Sequence, residues 1–248
     1  HIVSPFDNKY YISKNHDLSN DYLISSLNEY KDYKKKWNEW PIEDRMEIFL
    51  KAANLLETKY YNQMLAVTIY NQNKTIYEAE IDAICELVDF LRFNVYYCQE
   101  ILKKQPISPE PGIKNISQYK PLNGFVCSVT PFNFTAIGGN LATLPILFGN
   151  IVYWKPSEKS LLSNQLFYNI LKEAGLPDGV INFVPMKGEN FINTVTSHND
   201  FGGLLYTGSS HVFDGILKKT YQNMCRYNSY PRIVGETGGK NFHFVEES

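Results

Sequence analysis

The chain has 248 residues, with 24 basic against 26 acidic side chains and a net charge of −2 at pH 7, so it presents no general field for nucleic acid or an anionic membrane surface. At 44% hydrophobic and 20% charged residues it reads as globular rather than disordered, and no apolar run approaches the roughly 18 residues of a membrane span. Cys85, Cys98, Cys127 and Cys225 show no CxxC spacing, and a chain this long needs no disulfide framework, so a reducing compartment is the simpler expectation.

The sequence opens at His1 without a charged leader and apolar stretch, so any targeting segment is expected to lie outside these residues. From about 18 to 104 the chain is poor in glycine and reads as helices. Pro41 separates a first segment (18–38) from a second (42–65), and a third begins near Lys74. The run Lys31, Lys34, Lys35 and Lys36 interleaves with Glu29, Asp32, Trp37 and Glu39, which reads as a solvated helix face. On the third helix Ala79, Ala83, Glu86, Phe90, Phe93 and Tyr97 recur at spacings of four and three, forming one stripe. A lone carboxylate there is costly to desolvate. Glu86 therefore has a partner, reaches solvent at the stripe's edge, or lines a cleft for a polar ligand.

Residues 103–120 carry three prolines and then an alternation of Ile113, Ile116 and Tyr119, the pattern of a linker leading into an edge β-ribbon suited to pairing with another chain. Beyond it the period changes. Apolar runs rich in β-branched residues at 124–130 and 150–154 flank a helical pattern at 138–148. A helix from Leu161 to Ala174 stops at Gly175, with Pro177 beyond. Strands at 181–185, 202–207 and 232–236 then alternate with helices near 189–197 and 211–223. The series predicts an α/β fold with a doubly wound parallel sheet. The expected organisation is an amino-terminal helical part (1–102), a linker and ribbon (103–121) and an α/β part (122–248).

Ligands of such sheets bind at the carboxyl ends of the strands, and four ends carry polar or glycine-rich punctuation: Thr130-Pro-Phe-Asn133, Trp154-Lys-Pro-Ser157, Tyr206-Thr-Gly-Ser-Ser210 and Gly235-Glu-Thr-Gly-Gly-Lys240. Taken singly, Asn133 is also a plain turn residue and Lys155 a solvated lysine. The Gly208-Ser209-Ser210 turn before a helix is a candidate phosphate cradle. Glu236 closes an apolar run, where partial burial would lift its pKa towards that of a general base; a structural ion pair is the alternative. No GxGxxG, GxxxxGK[ST] or GxSxG segment is present, and the five histidines are scattered without metal-ligand spacing, so no metal is expected.

In order, PFNF (131–134), WKPS (154–157), TGS (207–209) and GETGGK (235–240) resemble the aldehyde dehydrogenase superfamily, and PFNFTAIGGNLA (131–142), KEAGLPDGVINFVP (172–185), TVTS (194–197) and GETGGKNFHFV (235–245) look closest to its pyrroline-carboxylate branch. AEIDAICELVDFLRFN (79–94) and QPIS (105–108) agree upstream. Val212 and Phe213 stand where many members have a second glycine, and Thr237 stands where this branch usually has cysteine. The resemblance implies an aldehyde-dehydrogenase-like fold with a Rossmann-like NAD-binding part at 122–248. It implies NAD-dependent oxidation of L-glutamate γ-semialdehyde to glutamate in proline degradation, in the mitochondrial matrix, by a homo-oligomer. Asn133 becomes the oxyanion donor and Glu236 the base for thioester hydrolysis. Thr130, Lys155, Gly208, Ser209, Ser210, His211 and Val212 become cofactor contacts, and Glu86 a substrate-side residue. The nucleophilic cysteine belongs in a GQxC-type segment after GETGGK, which these residues do not include; the chain is thus expected to be the amino-terminal part of an enzyme, without the substrate-binding domain. The alternatives are a non-catalytic subunit or nucleotide-binding module of the same fold, and a doubly wound domain with another ligand.

Overall fold

The computed structural model describes residues 2–7, 9–108, 110–239, 242 and 244–246. A short antiparallel pair, β1 (Ile2–Val3) and β2 (Tyr11–Ser13), precedes the helices; the sequence pattern gives no sign of strands there. Ser19 then starts α1 (Asn20–Glu39) by accepting the Tyr22 N–H, the usual service of an N-cap serine. Leu23, Leu27, Tyr30 and Trp37 are the buried face of α1, and the Trp37 indole donates to the Ile146 carbonyl at 2.9 Å.

Lys31, Lys35 and Lys36 of α1 are exposed, as expected of a solvated face, and Lys34 departs from it. Lys34 is drawn inward, donating to the carbonyls of Leu122 and Gly124, and burial lowers its pKa against the opposing pull of Asp200. Those two carbonyls precede the central strand, so one lysine ties the first helix to the entrance of the sheet. Lys31 pairs with Asp200 at 2.8 Å.

The predicted helix over 42–65 divides into α2 (Ile42–Glu57) and α3 (Tyr61–Gln72). No glycine or proline marks the break. Thr58 bonds back to the Asn54 carbonyl through its hydroxyl, and Lys59 and Tyr60 both reach Glu173 on a later helix, at 2.7 and 2.5 Å. Next come α4 (Ile76–Glu80), opened by a Thr75/Glu78 capping box, a π turn (Ile81–Glu86) and α5 (Leu87–Lys103), one continuous helix. Its buried side runs Ala79, Ala83, Leu87, Leu91 and Val95. Steps of four in an α-helix overshoot by about 40° each, and the wider π turn removes part of that drift. The predicted stripe leaves the core below Ala83: Phe93 and Tyr97 are exposed, and Glu86 and Phe90 are half-buried.

Residues 104–108 and 110–124 contain no strand, so the expected edge ribbon is not formed within this chain. Ile107, Ile113, Ile116 and Tyr119 are exposed, and extended backbone counts as a strand only where a neighbour supplies hydrogen bonds.

The α/β part follows the predicted alternation: β3 (Phe125–Val129), α6 (Thr135–Leu147), β4 (Val152–Lys155), α7 (Leu161–Ala174), β5 (Ile181–Phe183), α8 (Gly188–Thr196), β6 (Phe201–Gly208), α9 (Ser210–Gln222) and β7 (Arg232–Thr237). The five strands are parallel, in the order β5-β4-β3-β6-β7. The chain therefore builds outward from β3 through β4 and β5, then crosses to β6 on the other side. Sheet residues Val126, Cys127, Val152, Tyr153 and Trp154 are buried, as befits a sheet covered on both faces. The buried apolar residues form one cluster running from Leu23 on α1 to Ile216 on α9.

Candidate active site

In an open parallel sheet, ligands bind beyond the carboxyl ends of the strands where the order reverses. Here that point lies between β3 and β6. Thr130 to Asn133 leave β3, and Gly208 to Val212 leave β6, so the two segments flank the reversal. Lys155 ends β4, next to β3, and Glu236 lies near the end of β7, next to β6. Val129 is in register with both Lys155 and Tyr206, and Thr207 with Glu236. With strands about 4.8 Å apart, the strand ends bearing Asn133 and Glu236 stand roughly 10 Å from each other. The topology thus gathers the predicted residues of the four strand ends at one edge of the sheet; Lys240, the end of the fourth motif, lies outside the described residues.

The ends of β3 and β4 are linked by the buried Trp154, whose indole N–H donates to Thr130 Oγ1 at 3.0 Å. Lys155 is 9% exposed, and burial lowers its pKa, with Glu158 and Asp17 partly opposing. A desolvated ammonium at a strand end suits a ligand rich in hydroxyl acceptors. The plain solvated-lysine reading is excluded.

At the end of β6, Ser209 caps α9 by accepting the Val212 N–H at 3.4 Å. The remaining first-turn N–H groups of a helix have no intrahelical acceptor, and the helix dipole favours an anion there. Ser209, Ser210, His211 and Val212 are exposed at this end. Tyr206 steadies the turn, donating its hydroxyl to the Ser209 carbonyl at 3.0 Å and stacking on Phe213 at 5.3 Å. A Cβ on Gly235 would lie 2.2 Å from the Phe213 ring. Phe213, in the first turn of α9, therefore requires the glycine that precedes Glu236.

Glu236 is exposed on β7, contrary to the partial burial expected for it. Among the described residues β7 has a single strand neighbour, β6, and its other side is uncovered. Glu86 ends the π turn, half-buried; burial raises its pKa, nearby Asp82 adds to the rise, and Lys74 opposes it.

The sequence motifs do not reveal Asp82. Its carboxylate is almost fully buried, pairs with Lys74 at 2.6 Å, and accepts the backbone N–H groups of Thr135 and Ala136 at 2.9 and 2.8 Å. Its one sequence signal is a charged residue beside Ala83 on an apolar helix, and nothing in the spacing tells what it caps.

Of the four cysteines, Cys98 and Cys127 are buried and Cys85 and Cys225 exposed. Burial pushes the Cys98 thiol up to about 11 and the Cys127 thiol well above its ordinary value. Cys85 lies on the π turn and Cys225 beyond α9. The described residues hold no group of three or more His, Cys, Asp or Glu able to bind a metal. A cavity of about 780 Å³ opens among Asp17, Glu158, Lys159 and Lys187, beside the β4 end, and none of the predicted site residues lines it.

Residues 1–248 match the aldehyde dehydrogenase family profile. A relative from Dictyostelium discoideum, named delta-1-pyrroline-5-carboxylate dehydrogenase, mitochondrial, is 48% identical over 235 residues, covering 94% of this chain and 42% of its own. The human protein of the same name is 46% identical over 246 residues, covering 99% and 44%. Among solved structures, the Mycobacterium tuberculosis delta-pyrroline-5-carboxylate dehydrogenase bound with NAD superposes with a TM-score of 0.93 at 40% identity, covering 96% of this chain and 44% of that one. A Thermus enzyme with bound NAD gives 0.87 at 28% identity, covering 96% and 46%. The chain thus spans less than half the length of these relatives. With its parallel sheet, its strand-end motifs and a match over all its residues, the chain belongs to the aldehyde dehydrogenase family.

Proposed function

We propose that the full-length protein oxidises L-glutamate γ-semialdehyde to L-glutamate with NAD, and that this chain supplies the cofactor cleft, the oxyanion donor and the hydrolytic base. The observation that carries the reading is the convergence of Asn133, Lys155, the α9 N-terminus and Glu236 at the carboxyl edge of one parallel sheet. Relatives of the same architecture, named for this activity, bind NAD.

The donor set fits a dinucleotide. Lys155, desolvated and cationic, would hold the adenosine ribose, Thr130 would line the cleft, and Gly208 to Val212 would bring the α9 N-terminus to the pyrophosphate. Bound NAD supplies the hydride acceptor. The nucleophile of this reading is a cysteine thiolate outside these 248 residues, since Cys98 and Cys127 are buried and neither Cys85 nor Cys225 stands in a GQxC-type segment. When the thiolate adds to the aldehyde carbon, negative charge develops on the former carbonyl oxygen, and the Asn133 side-chain N–H donates to it. Loss of hydride leaves a thioester. Glu236 then takes a proton from water, the water oxygen attacks the thioester carbon, and carboxylate and free thiol are released. Glu86, lifted by burial, would face the substrate side. The names of the relatives favour a mitochondrial location, for which the matrix is the compartment proposed, and the exposed Ile107, Ile113, Ile116 and Tyr119 suit pairing between copies.

The test is a rapid-mixing assay of NADH formation by the full-length protein with NAD and L-glutamate γ-semialdehyde. Glu236→Gln should retain a hydride burst of about one equivalent per site while steady-state turnover falls by roughly 10² or more. A steady-state rate equal to that of the unaltered protein would contradict the assignment.

A further inference from the structure

The helix that follows Asn133 has no cap of its own. Its N-cap position is Phe134, whose ring accepts no hydrogen bond from the first turn, so the buried N–H groups there need an acceptor from elsewhere. Asp82 provides it from a different helix. Oδ2 accepts the Thr135 N–H at 2.9 Å and Oδ1 the Ala136 N–H at 2.8 Å, with the side chain 1% exposed. Lys74 donates to Oδ2 at 2.6 Å and sets its ammonium 4.3 Å from the centre of the Phe134 ring. Gln72 and Ser163 hold the Thr135 hydroxyl, at 2.8 and 3.0 Å.

The other flank of Asn133 is fixed as well. Thr130 accepts from the Trp154 indole at 3.0 Å, and the Pro131 carbonyl accepts from the Ser160 hydroxyl at 3.2 Å. Asn133 itself remains exposed between these two anchored flanks. A carboxylate bonded to two N–H groups at a helix N-terminus is favoured by charge as well as geometry. Asp82 sits in the π turn, a local widening frequent at functional sites, three residues after the buried Ala79 and beside the buried Ala83 on the same helix face.

We infer that Asp82, held by Lys74, is a positioning residue for Asn133, the pair fixing the start of α6 so that the amide is aimed before the aldehyde arrives. The inference rests on the oxyanion role proposed for Asn133. Asparagine at position 82 would keep one acceptor oxygen for two backbone N–H groups and leave Lys74 without its counter-charge, so the loop would shift. A misplacement of about 1 Å at such a site costs on the order of 10² in rate.

The experiment is a double-mutant cycle on the full-length protein with NAD and L-glutamate γ-semialdehyde, reading kcat, KM and NAD affinity. Asp82→Asn is expected to lower kcat about tenfold to a hundredfold, while NAD affinity stays within about twofold. In an Asn133→Ala background the same change should lower kcat by less than about twofold, because its route of action is already gone. A structural role alone would cut kcat equally in both backgrounds, and that result overturns the inference while leaving the Asn133 assignment intact. An Asn133→Ala protein with unchanged kcat overturns both. Should Asp82→Asn fail to fold, Lys74→Met keeps both bonds to α6 and enters the same cycle, with an expected loss of about threefold to tenfold that must likewise vanish beside Asn133→Ala.

Discussion

Lys155 sets stability against use. Its ammonium is nearly buried at the end of β4 and burial depresses its pKa, so the folded state binds this proton less readily than the unfolded chain. Stability therefore rises with pH as the lysine discharges between its lowered folded pKa and the ordinary 10.5. At neutral pH the penalty is present in full. Lys155→Met should accordingly raise Tm at pH 7 by about 2–4 °C, with the gain shrinking towards pH 10; calorimetry at both pH values checks it, and a lowered Tm at pH 7 would contradict it. At this scale the sequence was informative where chemistry is written in short motifs. Asn133, Lys155 and Glu236 stood out beside their prolines and glycines at predicted strand ends. Asp82 did not, because the N–H groups it satisfies belong to residues about fifty positions later, and spacing carries no record of such a contact.

Helices and strands were legible wherever the periodic pattern and its punctuation agreed. Gly175, with φ 112°, ends α7 where the pattern stops. The break at Thr58 was hidden because its cause is tertiary, the grip of Glu173 on Lys59 and Tyr60. The π turn was hidden too, and with it the rotation that takes Phe93 and Tyr97 out of the core. Elements here also meet through glycine. A Cβ on Gly139 of α6 would lie 2.6 Å from Leu87 Cδ1 and 2.8 Å from Phe167 Cε1, the places where α5 and α7 close on it. Gly139→Ala gains up to about 1 kcal/mol of helix propensity but overpacks by about 1–3 kcal/mol. A lower urea midpoint at unchanged slope is expected; a raised midpoint would mean that the neighbours yield freely.

For the whole molecule, the alternation of strand and helix after residue 120 was enough to predict a parallel sheet, and the reversal of strand order between β3 and β6 is what turns four scattered motifs into one edge. The ribbon expected at 103–120 forms no strand among the described residues of the chain itself, and its alternation of Ile113, Ile116 and Tyr119 is exposed. In the function proposed for the full-length protein this edge receives NAD, with Lys155 on the ribose and the α9 N-terminus on the pyrophosphate. Calorimetric titration of NAD into the full-length protein and its Lys155→Met variant addresses it most directly. Saturable binding at one site per chain is expected, weakened about tenfold or more in the variant through loss of a charged hydrogen bond. Absence of binding, or equal affinity in the two proteins, would contradict it.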